Sequence, residues 1–359
     1  MQKGDAPAVH GLTLKARCVA AQVAESDRNS FWVGTLSLKG VNEIQLLDYH
    51  EDDHEIRCLG IMSHPAGEIW NLSPCPSDSD RFFTVYQQTA SEDDAKFKAT
   101  LWKCEDNSKI TETHLLQLTT LRNINGLIRH VLWDPSETTQ SESLVTLSDT
   151  CITVLKLGES TASTVGTISD IRGKVLSGAW SPHHGNDIIT ANENSIRGWD
   201  TRTCKETFNI PQAHVPFVRD VDFNPNKDYC IVSGGDDNFI KFWDTRKTGR
   251  PVKAQKAHNH WVQNVKYNRY HDQFVLSSSS DCTVSLWSIP STSSMASNSE
   301  LSSQMREDKL IENYNNTHED SVYSVAWSSA SPWVFASLSY SGMLVINQVP
   351  KSYSDLLRF

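Results

Sequence analysis

The chain has 359 residues, enough for two average domains or for one large repeat architecture. It is 38% hydrophobic and 21% charged, which is ordinary for a globular protein, but eleven Trp is a high number for this length. A net charge of −10 disfavours general binding to nucleic acid or to anionic membranes, because both depend on positive charge.

The first twenty residues lack the apolar core of a signal peptide, and no apolar run is long enough to span a bilayer. The eight Cys are scattered and include no C-x-x-C pair, which is the spacing expected of zinc or redox sites. Scattered thiols without a signal peptide favour a reducing compartment. We therefore expect the protein in the cytosol or on the cytosolic face of an organelle.

Along the first 200 residues the chain carries weak copies of one pattern, in which short apolar strands are separated by polar turns. Residues 31–49 are expected to supply the inner strands of a first unit. Further units are expected at 64–102, at 128–157 and at 175–200. None of these copies is regular enough to define the repeat alone.

Clearer copies of the pattern follow. Trp199, Trp243 and Trp287 are 44 residues apart each time, and so are His214 and His258. After each of these His comes the pattern V-x-x-V-x-aromatic, then a second strand, a tight polar turn and a third strand that ends near Trp. Short strands at a period of about 40–45 residues are typical of the four-stranded blades of a β-propeller.

A last unit spans residues 321–349, which brings the number of units to seven. We predict an all-β fold in which residues 1–359 form a single seven-bladed β-propeller. Residues 9–14 are expected to complete the last blade, so that the N- and C-terminal strands pair and close the ring, because an open edge invites aggregation. The Ser-rich segment 289–309 within blade six is expected to be a disordered loop.

The units at 230–244 and 275–288 resemble the WD-repeat family, and the resemblance extends over nearly the whole chain. In that family a His, a Ser, a turn Asp and a Trp form a hydrogen-bonded chain within each blade. The resemblance implies such structural networks from His214, Ser233, Asp237 and Trp243 in blade five, from His258, Ser277, Asp281 and Trp287 in blade six, and from His318 and Ser337 in blade seven.

Two blades depart from this pattern. In blade seven, Ser341 and Asn347 stand where Asp and Trp are expected, so its network should be incomplete. In blade four, Glu193 occupies the position of the turn acid, and no motif His is evident. Buried polar groups are costly unless they are paired, so these His and Asp are interpreted as structural rather than catalytic.

Motifs that would indicate an enzyme are missing from the sequence. Gly173-Lys174 lacks the other residues of a phosphate-binding loop, and His183-His184 is a lone pair rather than a metal-ligand set. There is no G-x-S-x-G elbow and no Cys in a nucleophile context. We expect a protein that is not an enzyme and has no catalytic residues, cofactor or metal.

Candidate partner-binding residues lie in two places. Propellers usually bind partners where the loops before each first strand meet the turns between strands two and three, which here includes Phe217, Trp261 and Asp320. The basic run 241–256 is a further candidate for an acidic partner or a lipid head group, although a solvated outer strand is the simpler interpretation.

A narrower resemblance concerns function. Segments that are similar to a family of WD-repeat proteins interacting with the vesicle-tethering complexes GARP and EARP lie at 66–70, 180–184, 197–202, 222–227, 319–323 and 335–340. The resemblance implies a monomeric scaffold that recruits these complexes for endosome-to-trans-Golgi and recycling transport. It would act on the cytosolic face of the trans-Golgi network and of recycling endosomes, without binding nucleic acid or inserting into the membrane.

An alternative function comes from another class of protein. Two units end in Trp-Asp-x-Arg, which places Arg202 and Arg246 in a box that resembles the docking motif of substrate receptors. Such receptors bind the adaptor of a cullin-RING ubiquitin ligase, and their Arg side chains would meet hydrogen-bond acceptors on that adaptor. The box overlaps the consensus of the repeat itself, so the sequence leaves both functions open.

Overall fold

The computed structural model describes residues 7–88, 97–105, 114–122, 124–135, 143–158, 161–297 and 307–357. Within these ranges the chain forms seven four-stranded antiparallel sheets, one for each blade of a propeller. The innermost strands of consecutive sheets pack side by side, and the innermost strand of the last blade packs against that of the first. The predicted seven-bladed β-propeller is therefore confirmed.

In blades one to six the strands follow each other in chain order from the axis outward. The N-terminal strand β1 (Ala8–Gly11) belongs to the last blade. Blade one contains β2 (Ala16–Ala21), β3 (Asn29–Thr35), β4 (Asn42–His50) and β5 (Glu55–His64). Blade two contains β6 (Glu68–Pro74), β7 (Arg81–Gln87), β8 (Phe97–Glu105) and β9 (His114–Thr120). Blade three contains β10 (Ile128–Trp133), β11 (Ser143–Ser148), β12 (Ile152–Leu157) and β13 (Ala162–Ile168).

The second half of the ring is more regular. Blade four contains β14 (Val175–Trp180), β15 (Asp187–Asn192), β16 (Ser195–Asp200) and β17 (Lys205–Ile210). Blade five contains β18 (Val218–Phe223), β19 (Cys230–Gly235), β20 (Phe239–Asp244) and β21 (Lys253–Lys256). Blade six contains β22 (Val262–Tyr267), β23 (Phe274–Ser279), β24 (Val284–Ser288) and β25 (Lys309–Tyr314). Blade seven contains β26 (Val322–Trp327), β27 (Val334–Ser339), β28 (Met343–Gln348) and β1, and the helix α1 (Lys351–Leu357) follows.

The apolar core lies between neighbouring blades rather than within a single sheet. Every residue of β19 is buried, because this strand is covered on both faces, whereas the outer strand β21 is only partly buried. One cluster joins Phe242 of blade five to Val265 and Trp287 of blade six. Each blade therefore depends on its neighbours for a core, which explains why the unit must be repeated and closed into a ring.

Ring closure uses both chain ends, as the sequence predicts. Strand β1 pairs with β28 in the antiparallel register Ala8↔Ile346 to Gly11↔Met343. The strand ends at Gly11 and not at residue 14, because the chain turns there toward blade one. In that turn the Leu12 amide donates to the carbonyl of Gly342.

Several boundaries differ from those predicted. The segment 31–49 supplies the second and third strands of blade one, and the innermost strand is β2. The units expected to end at residues 102, 157 and 200 each continue into an outer strand, β9, β13 and β17. These outer strands were missed because they are largely exposed and lack a clear apolar alternation.

The start of the predicted disordered loop has defined structure. Pro290–Thr292 and Ser294–Ser297 form two 3-10 turns, and Ser293 is buried. Asp272 holds the second turn by accepting hydrogen bonds from the amide and the hydroxyl of Ser294, at 2.6 and 2.8 Å. Residues 289–297 thus differ from the expectation, and residues 298–306 lie outside the described residues. Among the helices of the described ranges, none is long and apolar enough to cross a membrane.

Candidate interaction surfaces

The network of blade five is a continuous chain of hydrogen bonds. With its ring neutral, His214 donates from Nδ1 to Asp237 at 2.6 Å and accepts at Nε2 from the Ser233 hydroxyl at 2.8 Å. The indole of Trp243 donates to the same Ser233 oxygen at 2.8 Å. Burial opposes ionisation of Asp237, but hydrogen bonds from His214 and Lys241 outweigh it and lower the pKa of Asp237 to about 2.

Blade six has the same hydrogen-bonded network with one additional residue. His258 and Trp287 both contact the hydroxyl of Ser277, at 2.8 and 3.0 Å. The Nδ1 atom of His258 lies 2.9 Å from the Thr283 hydroxyl, which donates to Asp281 at 2.6 Å. The motif did not reveal Thr283. His258 Nδ1 also lies 3.3 Å from the Asp281 carboxylate, so the predicted pair is in contact as well.

Blade seven contains only half of this hydrogen-bonded network. His318 Nε2 lies 2.8 Å from the Ser337 hydroxyl, but His318 Nδ1 is buried and has no partner within the described residues. The side chain of Ser341, at the position of the turn Asp, bonds to Ser339 instead. Burial lowers the pKa of His318 to about 4, so the ring is neutral at pH 7.

Blade two contains a fourth network, which the sequence analysis missed. The indole of Trp102 donates to the Thr84 hydroxyl at 2.8 Å, and His64 Nε2 lies 3.1 Å from the same oxygen. The carbonyl of Gly67 replaces the turn Asp and accepts from His64 Nδ1 at 3.1 Å. The available signal was a His followed by a hydroxyl residue after 20 positions, against 19 in blade five, but the Trp follows that residue after 18 positions instead of ten. These networks are structural, since their side chains lie inside the blades.

The first set of candidate binding residues lies on one face of the ring. We define the upper face as the edge formed by the loops before each innermost strand and by the turns between the second and third strands. Phe217, Trp261 and Asp320 all lie there, at the starts of β18, β22 and β26. Phe217 is 40% exposed and Trp261 is 41% exposed, so both rings are available for contact.

The second set lies on the opposite face. Arg202 and Arg246 follow the third strands of blades four and five, β16 and β20, which run parallel to the innermost strands and end at the other edge. Their side chains are 73% and 60% exposed. Arg246 donates to Asp244 at 2.9 and 2.7 Å and lies 3.4 Å from the ring centroid of Tyr229. A single partner of ordinary size would therefore contact one set or the other.

Other charged candidates have partners within the protein. In the basic run 241–256, Lys241 contacts Asp237 at 2.7 Å and Lys253 contacts Asp308 at 2.5 Å. His183 lies 2.8 Å from the carbonyl of Asn224. In the part of the chain that the structure describes, no three His, Cys, Asp or Glu side chains are grouped to hold a metal ion.

The upper face also contains a feature that no motif indicated. Each innermost strand has a β-bulge where the pairing register skips one position, at its second residue in six blades and at its third residue, Trp70, in blade two. Bulges redirect side chains, and these seven point into the mouth of the central channel. The side chains that line this mouth are Arg17, Trp70, Arg129, Leu176, Arg219, Gln263 and Tyr323. We call them the bulge ring.

The closed ring of four-stranded sheets and its internal His–Ser–Trp chains define a WD-repeat β-propeller. Residues 4–287 match the protein family described as EIPR1 beta-propeller, and residues 309–346 match a WD domain, G-beta repeat. The first match covers most of the chain. The chain therefore belongs to the EIPR1 beta-propeller family.

Relatives of similar length support this assignment. The chain is 39% identical over 382 residues to the EARP and GARP complex-interacting protein 1 of Homo sapiens, with 97% of each chain covered. It is 40% identical to the EARP-interacting protein homolog of Gekko japonicus, again with 97% of each chain covered. It is 43% identical to the homolog of that name in Dictyostelium discoideum, with 98% of this chain and 97% of the other covered.

Proposed function

We propose that this protein is a non-enzymatic scaffold that binds subunits of the EARP and GARP complexes and recruits them for endosome-to-trans-Golgi and recycling transport. The observation that carries this proposal is the similarity over the full chain to relatives named for their interaction with these complexes. The fold supports it, because a rigid closed ring presents exposed aromatic anchors without an ordering cost.

The binding face in this proposal is the upper one. Phe217 and Trp261 belong to adjacent blades, and each exposes about 40% of its surface there. Aromatic residues of this kind are enriched among the few side chains that carry most of the binding energy of an interface. Asp320 lies on the same face and supplies a polar contact beside them.

The test is direct binding between purified components. Purified EARP and GARP complexes are passed over the immobilised full chain, and a Phe217→Ala, Trp261→Ala variant is compared with an Arg202→Ala, Arg246→Ala variant. We expect the aromatic pair to weaken binding at least 30-fold, from about 2 kcal/mol or more lost at hot-spot residues. Absence of binding by the wild-type chain would contradict the proposal.

The site of action follows from the same proposal. We place the protein on the cytosolic face of the trans-Golgi network and of recycling endosomes, acting as a monomer held there by its partners. A tagged chain should lose this distribution when the tethering complexes are depleted. A distribution that stays the same after depletion would contradict recruitment through them.

A substrate receptor of a cullin-RING ligase is the competing proposal. The observation that favours it is the exposure of Arg202 and Arg246 on the lower face, following equivalent strands of adjacent blades. Under this proposal the Arg202→Ala, Arg246→Ala variant loses its principal partner and stays folded. Recovery of a cullin and its adaptor with the wild-type chain, and not with this variant, would replace the tethering function.

A further inference from the structure

The mouth of the central channel carries positive charge, although the chain has a net charge of −10. Three of the seven bulge-ring positions are arginines, Arg17, Arg129 and Arg219, and they line one cavity of about 300 Å³. Arg219 is neutralised by Asp236, which its guanidinium contacts through two nitrogens. Within the described residues, Arg17 and Arg129 have no such carboxylate.

These two guanidinium groups lie against aromatic rings instead. Arg17 is held between Trp70 and Tyr323, with centroid distances of 4.8 and 4.4 Å. Arg129 lies 5.2 Å from the ring centroid of Phe97. Stacking of this kind occupies the faces of a guanidinium but leaves its N–H edge free to donate. The rings thus fix the two arginines without neutralising them.

Hydrogen-bond donors in this mouth also lack partners. The Nε atom of Arg129 and the Nε1 atom of Trp70 are buried and have no acceptor among the described residues. Burial lowers the pKa of Arg17, and repulsion from Arg219 and Arg129 lowers it further, while Tyr323 acts in the opposite direction. Like charges kept together in a partly buried ring, with donors unsatisfied, are costly unless an anion completes the site.

Two neighbouring carboxylates, Asp220 and Asp222, lie below the bulge ring, and within the described residues neither bonds to Arg17 or Arg129. Asp222 accepts a hydrogen bond from the Tyr267 amide at 2.8 Å. Asp220 lies beneath the arginines, but the Ser177 hydroxyl donates to it at 2.6 Å and the Lys266 ammonium at 3.0 Å. Asn264 and the Val265 amide donate to the same carboxylate. His130 carries no charge at pH 7, because burial lowers its pKa to about 4. Within the described residues, Arg17 and Arg129 are therefore left without a carboxylate partner at the upper face.

We propose that the bulge ring binds an acidic peptide segment of a protein partner, with one carboxylate held by Arg17 and Arg129. A guanidinium presents paired N–H groups that match the two oxygens of a carboxylate. The remaining wall, formed by Trp70, Leu176 and Tyr323, accepts an adjacent apolar side chain. A cavity of about 300 Å³ is at the low end for ligand sites, which suits one or two side chains.

An acidic peptide fits better than a polyphosphate. Two guanidinium groups without a carboxylate partner balance one or two negative charges, whereas a polyphosphate brings more negative charge than they can balance. Trp261 lies 4.6 Å from Arg219, so the mouth continues into the aromatic surface of the upper face. This inference deepens the proposed function and rests on it only for the identity of the partner.

The first experiment needs no partner complex. A short fluorescein-labelled peptide that alternates Glu with Ala and carries one Leu is titrated with the full chain, and its anisotropy is measured. We expect saturable binding that weakens with salt and falls at least 30-fold in the Arg17→Gln, Arg129→Gln variant, as for loss of a buried charge partner. Arg28→Gln, Arg57→Gln removes the same charge from two exposed positions outside the ring and should leave the affinity unchanged.

The outcomes distinguish a failure of the acidic-peptide site from a failure of the proposed function. Equal binding by wild type and the double variant, or tighter binding of inositol hexakisphosphate than of the peptide, would overturn the inference. Circular dichroism is used to check that the double variant is folded. Arg17→Lys, Arg129→Lys retains the charge and should recover part of the affinity. Purified EARP complex is then tested on the same variants. If EARP does not bind wild type while the peptide does, the proposed function fails and the acidic-peptide site stands.

Discussion

Blades five and seven contain the same His and Ser at the same spacing, yet their interiors differ. In blade five the chain Trp243, Ser233, His214 and Asp237 satisfies each polar atom of the motif, and Lys241 neutralises the terminal acid. In blade seven the chain stops at a buried His318 Nδ1 that has no partner among the described residues. A propeller therefore tolerates an incomplete blade when its neighbours supply the apolar core.

The largest difference between the two blades is expected when the central hydroxyl is removed. Ser233→Ala leaves His214 Nε2 and the Trp243 indole unpaired inside blade five, which should cost about 3–5 kcal/mol. Ser337→Ala in blade seven leaves only His318 unpaired and should cost about 1–2 kcal/mol. Urea unfolding of both variants measures the two costs. Equal losses would show that the networks do not set blade stability.

The turns between the second and third strands provide the next contrast. Asn238 and Gly342 occupy equivalent positions with φ of 68° and 88°. A Cβ on Gly342 would lie 2.3 Å from the carbonyl of Leu14, in the segment that closes the ring. Gly342→Ala should therefore cost about 2–3 kcal/mol.

The matched control for that variant is Asn238→Ala. It keeps a side chain in the same left-handed turn and should cost about 1 kcal/mol. The midpoints of thermal unfolding compare the two variants. A smaller loss for Gly342→Ala than for Asn238→Ala would mean that the contact with the N-terminal segment does not constrain blade seven.

Stability should depend on pH through the buried imidazoles. Burial lowers the pKa of His64 and of His318 to about 4, below the ordinary value of 6.5. The unfolded chain then binds protons that the folded chain does not, so the free energy of unfolding decreases as the pH falls from about 6.5 to 4. Each such group contributes about 1.4 kcal/mol per pH unit.

Replacing one of these histidines isolates its contribution to the pH dependence of the unfolding free energy. His318→Asn should reduce the dependence of the unfolding free energy on pH by one proton in that range. The acid of blade five acts at lower pH, because the pKa of Asp237 is lowered from 3.8 to about 2 and its contribution is lost only as the pH falls between these values. An unchanged slope between pH 6.5 and 4 in His318→Asn would contradict the assignment of that proton to blade seven.

Features that repeat along the chain could be predicted from the sequence, whereas features that depend on a backbone carbonyl or on a bulge in a strand could not. The 44-residue spacing of Trp199, Trp243 and Trp287 was sufficient to identify the repeat and the networks of blades five and six, and the weaker copies completed the number of blades. The network at His64 was missed because a carbonyl replaces its acid, and a carbonyl has no signature in sequence. The bulge ring was missed for a related reason, since Arg17 and Arg129 point into the channel only because their strands skip one residue there.

The candidate binding residues show the same limit. Phe217 and Trp261 were placed correctly at the starts of innermost strands, because that position follows from the repeat alone. Their separation from Arg202 and Arg246 depends on strand direction, which becomes visible once the sheets are ordered. The choice between the two proposed functions is therefore a choice between two faces, which the paired variants on each face can decide.

The smallest expected effect is a gain. Ser341 follows His318 by 23 residues, as Asp237 follows His214, so Ser341→Asp places a carboxylate where Nδ1 of His318 lacks a partner. We expect about 1 kcal/mol of added stability at pH 7, the usual net contribution of a hydrogen bond, together with a higher pKa for His318 in an NMR titration. Ser341→Asn offers an uncharged acceptor and should leave that pKa closer to 4. If both variants shift the pKa of His318 equally, charge is not what distinguishes blade seven from blade five. If only Ser341→Asp raises it, the missing acid alone separates the two blades.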